Sequence, residues 1–153
     1  MRPSASQPAL TPFEFSIESS DMAAREALAR VLDGLRPLAL EPEEKSTVEL
    51  VLAEVLNNIV EHAYPDPNNP GPIHVACRHA GEGLHLHVRD AGLAMPGGQA
   101  PLGLAQVVET DVDDLPEGGF GWFLIRDLAK DLSYRRVGCE NHLDLRLAVA
   151  LHS

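Results

Sequence analysis

Cysteine is nearly absent from this chain. Only Cys77 and Cys139 occur in 153 residues, and they form no C-x-x-C, so the sequence suggests neither a zinc site nor a disulfide framework. Basic side chains are scarce as well. Twelve Lys and Arg stand against 23 Asp and Glu, for a formal net charge of −11. That balance argues against a phosphate-backbone binder, which needs a basic face, and against docking on anionic membrane. It suits a basic protein partner. No apolar run approaches the ~20 residues of a membrane span. The opening "MRPSASQPALTP" lacks the apolar core of a secretory signal. The expectation is a cytoplasmic protein with no direct contact to nucleic acid or membrane. What is present is ordinary for a soluble fold: 44% hydrophobic and 23% charged residues, at a length that favours one domain with its own core.

The pattern along the chain divides it into residues 1–12, a loose, Pro-containing tail, and residues 13–153, one folded domain. "FEFSI" (13–17) alternates as a strand does. A first helix is predicted over about Asp21–Leu35, with Ser and Asp as N-cap candidates and Gly34 near its end. A second begins near Pro42, carries Glu43 and Glu44 at its positive end and is stopped by Pro65. "IHVACRH" and "LHLHVRD" alternate around "AGEG", a hairpin signature. Residues 92–119 are long and rich in Gly, Pro and Asp, with at most a short helix near "GLAQVVET"; loops of such length in compact domains are often lids. "GWFLIRDLAKDL" reads as a helix, and "SYRRV" and "NHLDLRLAVAL" as strands around "GCEN". The order β-α-α-β-β-lid-α-β-β predicts a two-layer α/β sandwich, one mixed sheet with helices on one face.

"LAEVLNNIVEHAY" (52–64) is the odd segment. On a helix of about 100° per residue, Val48, Val51, Leu52, Val55, Leu56, Ile59 and Ala63 form one apolar stripe. Glu54, Asn58 and His62, at i, i+4 and i+8, form a second stripe on its flank. A solvated polar face is the ordinary explanation of such a flank, but it normally uses Lys, Arg and Glu. Asparagine is a poor helix former. Asn58 offers a neutral carbonyl oxygen, a hard ligand suited to Mg²⁺. Glu54, one turn earlier, is placed to hold a water or hydroxyl as a general base.

Two glycine signals follow. "VRDAG" sets Asp90 and Gly92 at a strand end, where the carboxylate can accept from an amino group such as adenine N6 and Gly92 lets backbone approach a flat ring. Alone it is a weak signal, more simply read as a turn after a strand. "EGGFGWFLI" puts Gly118, Gly119 and Gly121 before a helix, where free N–H groups can cradle phosphate, though glycines are also common in any loop.

Taken together and in this order, the three motifs resemble the GHKL superfamily of ATPases, which includes gyrase, heat-shock chaperone, histidine kinase and mismatch-repair families. In size and wording the chain is most similar to the bacterial anti-sigma factor serine/threonine kinases, over roughly Phe13 to Leu147. "LAEVLNNIVEHAY" resembles that family's N box, "VRDAG" its first glycine box and "EGGFGWFLIRDLAKDLSYRRVGCENHLDLRL" its second with the elements that follow. The resemblance implies a histidine-kinase-like ATPase (Bergerat) fold and an ATP lid at about 92–119. It implies ATP and Mg²⁺ as cofactors, with Asn58 on the metal and Glu54 as the base. Asp90 would face the adenine amino group with Gly92 beneath the ring, and Gly118, Gly119 and Gly121 would lie at the phosphates. It further implies phosphorylation of a serine on an anti-sigma factor antagonist, sequestration of a sigma factor, and a homodimer. Two positions depart from the family pattern: Leu93-Ala94 stands where x-Gly often follows, and Asp144 stands where the last strand often has Thr near the adenine.

Other readings compete. A binding module that responds to nucleotide without phosphorylating its partner would use the same motifs. The ATP-binding part of a histidine kinase is a third reading, weighed lower because the chain carries no second helical pair with a phospho-accepting His. His74, His85 and His87 can share one sheet face and bind a metal. Alternation favours the simpler account that they cover the solvent face of a sheet whose helices lie on the other side. Trp122 and Phe123 are read as core or lid-packing residues.

Overall fold

The computed structural model describes residues 10–81, 83–94, 108–110, 125 and 127–149. Strand β1 (Phe13–Glu18) leads into helix α1 (Asp21–Gly34), a short 3₁₀ turn and helix α2 (Pro42–Asn58), which runs on as a π-helical turn over Ile59–Ala63. The strands β2 (Pro72–Ala80), β3 (Gly83–Asp90), β4 (Val108–Thr110), β5 (Ala129–Val137) and β6 (Glu140–Ala148) follow. They join β1 in one sheet of order β1-β2-β3-β6-β5-β4.

Local chemistry accounts for the element ends. Ser20 caps α1 by accepting from Ala23 N at 2.9 Å. Glu41 and Glu44 form a reciprocal capping box ahead of Pro42 at the start of α2. The β2–β3 and β5–β6 hairpins turn at Gly81 and Gly138, both at φ +61°, where a side chain would be strained.

The two-layer α/β sandwich is as expected, but its sheet is antiparallel at every described pairing rather than mixed. A single crossover helix between neighbouring strands would make them parallel. Here two packed helices separate β1 from β2, so the chain re-enters the sheet at the end where β1 left it. Ser19 N donates to Gly71 O at 2.8 Å across that junction. Three local expectations also change. Val108–Thr110 is an edge strand on β5 rather than part of a helix. Strand β5 begins at Ala129 rather than Ser133, because Ala129 and Lys130 already pair with Leu147 and Arg146 ahead of a bulge that holds Asp131 at φ 51°. Leu10, within the stretch expected as tail, is buried in the core.

The core lies between the helices and one face of the sheet. Every member of the predicted α2 stripe is buried, from Val48 to Ala63, against Ile73, Val75, Leu84, Leu86, Val88, Leu143, Leu145 and Leu147. The open face carries His74, His85, His87 and Asp144, all half-buried. Among the described residues no three His, Cys, Asp or Glu converge as a metal cage, and His87 Nδ1 instead meets Asp144 Oδ1 at 2.6 Å. Cys77 sits in the core, where burial pushes its thiol up to about 12, and Cys139 is exposed and unpaired. No described helix is long and apolar enough to cross a membrane.

Tyr64 ties the end of the π turn to the sheet. Its hydroxyl donates to Pro72 O at 2.7 Å and accepts from Ala91 N at 2.7 Å. Tyr64→Phe removes both bonds. The expected cost is about 1–3 kcal/mol, or roughly 3–10 °C in melting temperature for a domain of this size. A thermal melt unchanged within about 1 °C, less than half a kcal/mol at roughly 2–4 °C per kcal/mol, would show that the tie contributes nothing.

Candidate nucleotide site

Strand alternation places a carboxylate in the core. Leu84, Leu86 and Val88 of β3 point at the helices, and by the same parity so does Asp90, which is only 4% exposed. Cross-strand partners share a face, and the row runs Ile17, Ile73, Asp90, Asn141, Arg136 across five strands. The row is apolar over β1 and β2 and polar over β3, β6 and β5. Its polar half forms a cluster at one end of the sheet.

The cluster is built on Asn141, which is 6% exposed and makes four hydrogen bonds. Its Nδ2 donates to Asp90 Oδ1 at 2.7 Å and to Leu93 O at 2.8 Å. Its Oδ1 accepts from Tyr134 Oη at 2.5 Å and from Arg136 at 3.0 Å. Asp90 Oδ1 also accepts from Gly92 N at 2.9 Å. Among the described residues Oδ2 of Asp90 has no hydrogen-bond partner. Burial holds the Asp90 carboxyl above its ordinary range; the Asn141 and Gly92 hydrogen bonds and the charges of Arg136 and His142 oppose that rise.

Helix α2 reaches this cluster through its π turn. Leu93 N donates to Ala63 O at 2.9 Å, and a Cβ at Gly92 would lie 2.3 Å from that same oxygen. Gly92 is therefore required by close packing against the helix end, and its carbonyl accepts from Arg136 at 2.7 Å. Ala94 has no positive φ, so the alanine at this departure from the family pattern costs no backbone strain. Asn58 is the last residue before the π turn. It is half-buried, and its Nδ2 is buried with no hydrogen-bond partner. Glu54, one turn earlier, is also half-buried, while Asn57 and His62 are exposed. π turns inside helices are frequent at functional sites.

The structure thus brings Asp90 and Gly92 against the end of the helix that carries Glu54 and Asn58. Gly118, Gly119 and Gly121, and most of the expected lid, lie outside the described residues. Asp144 is not at this site. It stands on the open face, three residues from Asn141 and of opposite parity, paired with His87 and with Arg135 at 3.5 Å. Asn141, Arg136, Tyr134 and Tyr64 were not foreseen. The signal for Asn141 was available, because Leu143, Leu145 and Leu147 set an inward register that includes it.

The profile of the histidine kinase-like ATPase domain family matches residues 17–147. The chain belongs to the histidine kinase-like ATPase family. Over 99 residues it is 38% identical to the serine/threonine-protein kinase BtrW of Bordetella bronchiseptica, covering 65% of this chain and 67% of that protein. It is also similar to the crystal structure of the RsbU and RsbW domains of Rv1364c from Mycobacterium tuberculosis, with a TM-score of 0.59 and 16% identity. That match covers 94% of this chain but only 35% of the solved one, and at such identity it shows the fold alone. The resemblance to the anti-sigma factor serine/threonine kinases read from the motifs stands with these findings. For a histidine kinase-like ATPase domain the implied ligand is ATP.

The residues present fit an adenine nucleotide. A buried carboxylate with one oxygen unclaimed suits an amino group, and the buried Asn58 Nδ2, a donor without a partner, suits an acceptor such as a phosphate oxygen or a bound water. Asp90→Asn separates fold from recognition. With its pKa raised by folding, Asp90 favours the native state only while protonated, and that contribution is lost as pH rises through the folded pKa. At pH 7 the Asn variant is therefore expected to melt no lower than wild type, with its advantage shrinking as pH falls through the raised folded pKa and gone below about pH 4, the ordinary carboxylate value. Its Nδ2 would face the adenine amino group, donor to donor, so ATP affinity should fall about 10- to 100-fold. A lower melt at pH 7, or undiminished ATP binding by calorimetry, would contradict this assignment.

Proposed function

We propose that this protein is an ATP- and Mg²⁺-dependent protein serine/threonine kinase that phosphorylates a serine of an anti-sigma factor antagonist and sequesters a sigma factor. The observation that carries the reading is Asn58, whose buried Nδ2 is a donor with no partner, at the end of the helix that meets the Asp90 cluster. The name of the Bordetella relative, a serine/threonine-protein kinase, supports it.

In this reading Asp90 accepts from the adenine amino group, and Gly92 keeps the turn close to the helix end. Asn58 would supply its carbonyl oxygen to Mg²⁺, its Nδ2 being free to turn toward a phosphate oxygen. One neutral oxygen is a weak site by itself, which fits an ion carried largely by phosphates. When bound, the metal neutralises phosphate charge. Glu54 has no hydrogen bond or ion pair among the described residues, so its carboxylate is available to orient the attacking serine hydroxyl and accept its proton. Gly118, Gly119 and Gly121 supply N–H groups to the phosphates. Phosphoryl transfer needs little more than this positioning and charge neutralisation.

The test is single-turnover transfer from ATP to a candidate antagonist, run beside an independent binding assay. Glu54→Gln is expected to bind ATP as wild type does and to transfer about 10²- to 10⁴-fold more slowly. Asn58→Ala is expected to lose both binding and transfer. Equal transfer by Glu54→Gln would remove Glu54 from the role of base. A wild type that binds ATP and a verified antagonist yet never phosphorylates it would make the protein a binding module. Co-purification with a sigma factor, released by the unphosphorylated antagonist, tests sequestration separately.

A further inference from the structure

The carboxamide of Asn141 does more than fill hydrogen-bonding space. All four of its hydrogen-bonding positions are used, each by a different residue of the site: Asp90 at the end of β3, the Leu93 carbonyl beyond it, and Tyr134 and Arg136 on β5. Both ends of the amide are fixed by groups of opposite character. A guanidinium can only be met by its oxygen, while a carboxylate and a carbonyl can only be met by its nitrogen; the Tyr134 hydroxyl adds a second donor on the oxygen side. The amide therefore has one orientation, and Asp90 receives a donor at a fixed point.

We propose that Asn141 is the positioning residue that sets base selectivity at this site: by engaging Oδ1 of Asp90 it leaves Oδ2 as the one acceptor presented to a purine amino group. The proposal rests on the nucleotide-site reading above. Gly92 N and Asn141 Nδ2 both converge on Oδ1, so rotation of the carboxylate would break two bonds at once. Protonation state follows from the same contact. Burial opposes the carboxylate, and the Asn141 hydrogen bond leads the effects that favour it, followed by Gly92 N, Arg136 from β5 and His142 from β6. Tyr64, from the end of the helical layer, also faces Asp90 and is held neutral chiefly by burial. A neutral Asp90 would present a hydroxyl donor, which repels the amino group of adenine and matches the O6 acceptor of guanine. Asn141 thus keeps both the orientation and the charge that favour adenine.

The experiment measures Mg-ATP and Mg-GTP binding as pH is lowered from neutrality, with the Asp90 carboxyl carbon followed by NMR in the nucleotide-free protein to locate its titration. In Asn141→Leu the preference for ATP over GTP is expected to fall about tenfold, the loss of one charge-assisted hydrogen bond. The loss should be larger at the acid end, and Asp90 should titrate at higher pH than in wild type. Asn141→Thr keeps one hydroxyl donor, and should show a smaller change in the same direction. It carries the test if the Leu variant does not fold. Equal, pH-independent losses for ATP and GTP, or an unmoved Asp90 titration, would reduce Asn141 to a structural residue and overturn the proposal while leaving the nucleotide site intact. A wild type that binds neither nucleotide is a different result; it removes the site reading and this proposal with it.

Discussion

A carboxylate buried at a strand end has to be answered, and much of this site is arranged around that demand. Ionised Asp90 is disfavoured by its surroundings, so donors must converge on it. Two do so directly, Gly92 N and Asn141 Nδ2, and Arg136 acts at longer range while bonding to Gly92 O and Asn141 Oδ1. The same contacts hold the turn after β3 against the end of the π turn. Removing the carboxylate would relieve an electrostatic cost, yet it would leave these donors organised around nothing. That combination is what a binding group looks like when it is kept for recognition rather than stability.

Helix α2 divides its faces between the two tasks. The stripe from Val48 to Ala63 lies against the sheet and is buried throughout. The flank with Glu54 and Asn58 is half-buried and makes no described bond to the sheet. The π turn after Asn58 links the tasks. It closes with Tyr64 N donating to Ile59 O at 3.2 Å, and its Ala63 carbonyl receives Leu93 N. Widening the helix there also takes His62 out of line with Glu54 and Asn58. The three-residue polar stripe drawn on an ideal helix becomes a half-buried pair and an exposed histidine.

Much of the fold was legible because period two and helical periodicity each report burial directly. The stripe of α2, the β2–β3 hairpin and the inward direction of Asp90 all follow from alternation or helical spacing. The misreadings have equally local causes. "AKDL" has helical propensity, but pairing of Ala129 and Lys130 with β6 overrides it. Val108–Thr110 is three residues long, too short for periodicity to speak, and its strand character comes from β5 beside it. Asp144 was set near the base by comparison with a family pattern. Counting parity from Leu143 and Leu145 puts it on the other face and puts Asn141 inside. Asn58 could be suspected from composition alone, but its lack of a partner is visible only in three dimensions.

The distribution of buried polarity gives the last step. Among the described residues, only Ser19, Asp90 and Asn141 are buried polar or charged side chains. Ser19 follows β1 and accepts from Gly71 N just before β2, while Asp90 ends β3 and Asn141 starts β6. In an antiparallel sheet with this register, those four strand ends lie at one edge of the sandwich. The unpartnered Asn58 Nδ2 and the π turn belong to the helix that reaches the same edge. Among the described residues the other buried side chains are aliphatic, apart from Cys77 and Tyr134. Departures from that pattern that gather at one end, rather than scatter, are the physical mark of a site for which the fold has been compromised. Here that end coincides with the residues through which the chain resembles a nucleotide-binding family.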